Sequence, residues 1–60
     1  MANLNQSELN SIRESVMGHQ TMASKLKDYA SQCQDTKIKQ MFTQASQDAE
    51  KGAQNLLQML

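Results

Sequence analysis

A single histidine, His19, and a single cysteine, Cys33, are the side chains of this 60-residue chain best suited to chemistry. An imidazole ligates metals and moves protons near neutral pH. With one histidine per chain, a metal site would need His19 from each of two copies. Two imidazoles are an incomplete set for zinc, which takes four ligands, or three and a water. Asp48 and Glu50 could assist only if their helix were rotated, and two positions apart on a helix they do not face the same way. The simpler expectation for His19 is a partly buried ring hydrogen-bonded to a backbone or side-chain partner. No metal and no cofactor are expected, and His19 is the one candidate ligand. Cys33 would be reactive if a cation or a helix start lowered its pKa, and Lys37 and the second helix stand close enough in sequence to do so. The plainer expectation is a thiol that packs as a small apolar residue.

No other chemistry is written into the chain. There is no Gly-rich phosphate loop, no Ser-His-Asp order, no Cys-x-x-Cys and no paired-histidine motif. An enzyme is not expected. Six basic and six acidic residues balance to zero net charge and are not clustered, which argues against a nucleic-acid partner. No stretch is long and apolar enough to suggest a membrane span. The opening MANLNQSELN has neither the basic nor the apolar region of a signal peptide. One cysteine makes no internal bridge, so a reducing cytoplasm is the expected compartment.

These residues sit on helices. The chain has no proline, two glycines and few β-branched or aromatic residues. Asn5-Gln6-Ser7-Glu8 reads as a capping box, with Ser7 as a rival cap, and Leu4 and Leu9 are placed for a hydrophobic staple. From there Leu9, Ile12, Val16, His19, Ala23, Leu26, Ala30 and Cys33 follow one another at steps of three and four, a heptad seam. Asp35 then caps a second helix, whose seam reads Ile38, Phe42, Ala45, Ala49, Gly52, Leu56 and Met59. The expected fold is all-α: one domain over residues 1–60, with helix 1 at about 6–33, a turn at about 34–36 and helix 2 at about 36–59.

A connection this short folds the helices back antiparallel. Cys33 then meets Ile38, Ala30 meets Phe42, Leu26 meets Ala45, and Ala23 meets Ala49. Further from the turn, His19 meets Gly52, Val16 meets Leu56, and Ile12 meets Met59. Met22, Tyr29, Met41, Ala53, Leu57 and Leu60 fall beside the seam and widen the apolar stripe. A stripe wider than one seam calls for a second layer, met most economically by two hairpins on a two-fold axis, a four-helix bundle. The residues expected to pack the core and the dimer are Leu9, Ile12, Val16, Met22, Leu26, Tyr29, Ile38, Met41, Phe42, Ala49, Gly52, Leu56 and Leu57. On this register, bulk added at Gly52 should disturb the seam more than bulk added at Ala53. The methionines at helical spacing, Met17, Met22, Met41 and Met59, read as packing residues. The glutamines at 32, 34, 40, 44, 47, 54 and 58 read as a neutral solvated face, or as a surface for assembly or cross-linking.

A pattern runs through the turn and the second helix: Tyr29-Ala30, the turn at Asp35, Lys39-x-x-Phe42 and a closing Leu56-Leu57. Over about residues 8–60 the chain resembles the spore coat F family, short proteins of spore-forming bacteria. The resemblance implies a ferritin-like helical bundle associated with the spore or the sporulating cell. Members of that family often carry His-x-x-His on the second helix and a glutamate on the first. Those positions fall here on Ala49 and Gly52, and on or next to His19, so only His19 keeps a donor atom. The expected protein is a non-enzymatic homodimer with a structural or accessory role. Its partners would be a second copy and other spore-coat proteins, in the cytoplasm or the spore coat. The alternative is a small metal- or ligand-binding ferritin-like bundle with a degenerate central site near His19, Ala23, Ala49 and Gly52.

Overall fold

A computed structural model of the chain describes residues 3–60; the first two residues of the expected 1–60 domain lie outside the described residues. Two helices, α1 (Gln6–Gln32) and α2 (Thr36–Leu57), pack against each other as an antiparallel hairpin, with no strand among the described residues. At 1.5 Å per residue α1 runs to about 40 Å, and it sets the long dimension of a rod with extents of 47 × 16 × 9 Å. Among the described residues, no helix is long and apolar enough to cross a membrane.

Both helix starts follow from their caps. The Asn5 side chain accepts from the Glu8 amide at 2.8 Å, and the Glu8 carboxylate accepts from the Asn5 amide at 3.0 Å. Two otherwise unpaired donors are thereby satisfied at once, and Asn5 rather than Ser7 is the cap. Asp35 accepts from the Ile38 amide at 3.0 Å and opens α2. The ends differ a little from the sequence expectation. Cys33 is extended, with its amide donating to the Ala30 carbonyl at 3.3 Å, so α1 stops one residue earlier and the chain reverses over residues 33–35. Past Leu57, Met59 and Leu60 bond back three residues, to the Leu56 and Leu57 carbonyls, tightening the last turn.

All eight seam positions of α1 are buried or half-buried, from Leu9 to Cys33. The seam of α2 needs correction. Phe42, Ala49 and Leu56 lie on it, but the most buried positions of α2 are Ser46 and Ala53, at 1% and 3% exposure. Ala53, expected beside the seam, is at its centre, so the expected contrast between bulk at Gly52 and bulk at Ala53 loses its basis. The series 42, 46, 49, 53, 56 alternates four and three as regularly as 42, 45, 49, 52, 56. Counting apolar residues favours the second only because serine is polar. In the fold, the Ser46 hydroxyl donates to the Ala23 carbonyl of α1 at 3.0 Å, and this bond lets serine take the central place.

The pairing with Met59 is also corrected. Met59 lies beyond α2 and is exposed. The terminal end of the core is Ile12, Val16 and Ala53, with Leu4 and Leu56 packed against them. Leu4, folded back by the capping box, brings an apolar side chain to the end of the core where Met59 was expected. At the turn, Ile38 is 46% exposed, and the aromatic contact is between Tyr29 and Phe42, with ring centroids 5.5 Å apart and planes tilted by 60°. Tilted rings at this separation suit the charge distribution of the two π-systems.

Candidate functional site

The helices approach closely at the middle of the hairpin, and small residues account for it. Ala23 and Ser46 meet through the interhelical hydrogen bond, and the His19 ring lies on Gly52. A β-carbon at position 52 would stand 2.6 Å from His19 Cδ2 and 3.0 Å from Nε2. No real β-carbon contact is that short, so glycine at 52 is the space the imidazole occupies. Gly18 is different, with nothing within 4 Å of the β-carbon it lacks.

His19 Nδ1 lies 2.7 Å from the Ser15 carbonyl, one helical turn back. A carbonyl only accepts, so Nδ1 carries a proton and donates it. The ring is thus fixed at one nitrogen by its own helix and pressed along its other edge against α2. That matches the partly buried, hydrogen-bonded histidine expected from the sequence. Among the described residues, no group of three His, Cys, Asp or Glu side chains lies close enough together to hold a metal ion.

Two flanks run beside this seam. On one, Gly18, His19, Met22 and Leu26 of α1 face Ala45, Asp48 and Ala49 of α2 across an open groove. By helical spacing Tyr29 and Met41 continue the same flank toward the turn. On the other, Gln20, Ser24 and Ala23 face Glu50, Ala53, Gln54 and Leu57. An ion pair from Lys27 to Glu50, at 2.6 Å, bridges the helices on that second flank. Both of its side chains are largely exposed, so it contributes at most about 1 kcal/mol.

The residues expected to pack therefore separate into two groups. Ile12 and Val16 are buried, and Leu9, Leu26, Phe42, Ala49, Gly52 and Leu56 are half-buried. Met22, Tyr29, Ile38, Met41 and Leu57 are exposed on the single hairpin. Cys33 is a half-buried free thiol beside Tyr29, Gln32 and Phe42 at the turn. Sequence reasoning missed Ser46 and the Lys27–Glu50 pair. The first could have been found only by treating serine as a small seam residue.

The fold and this seam define a helical hairpin with a close-packed, small-residue middle and one apolar flank. No family model matches the chain, and no curated protein or solved structure matches it either.

Proposed function

We propose that this chain is a non-enzymatic structural or accessory protein that works as a homodimer, two hairpins completing a four-helix, ferritin-like bundle. One observation carries the dimer: a row of large apolar side chains is left about half or more exposed beside a seam that buries mainly small residues. Its buried set is Ile12, Val16, Ala23, Ala30, Ala53 and Ser46. Met22, Tyr29 and Ile38 are about half exposed, and Met41 is 70% exposed. Side chains of this size each contribute about 1.5–3 kcal/mol when buried, and a single hairpin leaves about half of that unused.

The surface area points the same way. A compact monomer of 6.7 kDa would expose about 3900 Å². This chain exposes 4718 Å². The excess, roughly 800 Å², is about what each partner buries in a standard protein interface. A place in the spore coat, or in the cytoplasm of a sporulating cell, is supported only by the sequence resemblance over residues 8–60. Other coat proteins would then be its further partners.

Light scattering over a wide concentration range tests the dimer. The expected mass is twice that of the chain. A helical monomer at every concentration would overturn it. Fractionation of sporulating cells tests the location, and recovery of the chain in soluble extracts alone, with none in the coat, would remove the coat role.

A further inference from the structure

We infer that the second copy docks on the Met22–Leu26–Tyr29–Met41–Ala45 flank, about a two-fold axis crossing the hairpin at the level of Leu26 and Ala45. Each helix then lies antiparallel against its own copy, and only the halves nearest the turn overlap. This rests on the homodimer reading and specifies its surface and its register.

Three features single out this flank and this register. The first is polarity. The opposite flank is closed by the Lys27–Glu50 pair and lined by Gln20, Ser24 and Gln54, with Leu57 its one large apolar side chain. An interface there would bury charge for little apolar gain. The second is where the apolar surface stops. Met22, Leu26, Tyr29 and Met41 lie in the half near the turn. Toward the termini, the same face of α1 continues at helical spacing as Gly18, Ser15 and Ser11, all exposed. A parallel pairing of full-length hairpins would bury that polar half, whereas the antiparallel pairing leaves it in water.

The third is volume and charge. The contacts of His19 with Gly52 and of Tyr29 with Phe42 fix the register of the hairpin, and they put Leu26 level with Ala45. Tyr29 and Met41 stand about 4.5 and 6 Å to the turn side of that level, and Asp48 and Met22 stand at the same heights on the other side. Antiparallel pairing therefore sets Tyr29 against the partner's Met22, and Met41 against the partner's Ala49, spreading the bulk evenly. Parallel pairing would gather both copies of Tyr29 and Met41 in one layer. It would also bring both Asp48 carboxylates to one level of an apolar seam, where the antiparallel register holds them about 9 Å apart in height.

The test is disulfide trapping in a Cys33→Ser background. Ala45→Cys lies on the axis and should join to its own copy. Ser24→Cys, on the polar flank, should not. Preformed dimers hold facing thiols at about millimolar effective concentration, so the Ala45→Cys reaction should be at least about tenfold faster. Faster joining through Ser24→Cys would overturn the choice of flank. Preferential joining of Met22→Cys to Ala49→Cys in mixed samples would overturn the antiparallel register. Light scattering on the untrapped Cys33→Ser chain separates the two failures. A dimer that joins at the wrong position sinks this arrangement alone, whereas a monomer sinks the homodimer as well.

Discussion

At the middle of the hairpin, the seam between the helices and the flank beside it use residues of opposite size. Inside, Ala23, Ala30, Ser46, Gly52 and Ala53 bring two backbones close and leave room for one imidazole. Outside, Met22, Tyr29, Ile38 and Met41 project from the same two helices. Here small residues bring the middle of the hairpin together, Ile12, Val16 and Phe42 pack nearer its ends, and Met22, Tyr29, Ile38 and Met41 remain exposed. The seam therefore governs the shape of the hairpin, and the flank carries exposed apolar surface.

The largest effect that would break this contrast is overpacking of the seam. Ala53→Leu should destabilise the fold by about 1–3 kcal/mol, since a leucine has no space at a 3% exposed position. Met41→Leu, on the flank, should change stability far less. Urea unfolding at one protein concentration compares them, and equal midpoints would mean that the seam is looser than described. Next is Ser46→Ala, which removes the bond to the Ala23 carbonyl and should cost about 0.5–1.5 kcal/mol. The same unfolding curve measures it, and an unchanged midpoint would show the bond to be incidental.

The two glycines sharpen the contrast further, because they should respond with opposite sign. Gly18→Ala should stabilise by up to about 1 kcal/mol through helix propensity, with open space around the new methyl. Gly52→Ala gains the same propensity but drives a methyl into the His19 ring, and should lower the melting temperature. In a His19→Ala background that penalty should vanish, so a double-mutant cycle by thermal melting isolates the contact. Equal stabilisation at both positions would show that the ring moves aside freely. The smallest effect belongs to Lys27→Ala on the polar flank, at most about 1 kcal/mol and reduced by added salt. A larger loss would mean that the flank is buried by something.

Much of the hairpin was legible residue by residue. Asn5 and Glu8 define the start of α1, and Asp35 defines the start of α2, because a cap is a local hydrogen bond between near neighbours. The α1 seam was legible because its polar and apolar positions separate cleanly. The pairing of His19 with Gly52 followed from helix lengths and a short turn, and the glycine contact agrees with it. The centre of α2 was not legible. Ala45 with Gly52, and Ser46 with Ala53, offer two seams one residue apart, and their compositions hardly differ. The staple expected of Leu4 folds it back toward the helix, but the sequence did not reveal that Leu4 would pack on the Ile12–Val16–Ala53 cluster while Met59 stayed outside.

The sequence by itself determined two long helices, their caps, the reversal between them and the level at which they pair. These depend on backbone hydrogen bonding and on rise per residue, both of which act locally. Only the tertiary structure decided how far α2 turns about its own axis. That rotation rests on one hydroxyl reaching a carbonyl 23 residues away along the chain and on a ring lying where a β-carbon would be. The same rotation decides which large side chains remain exposed on the hairpin.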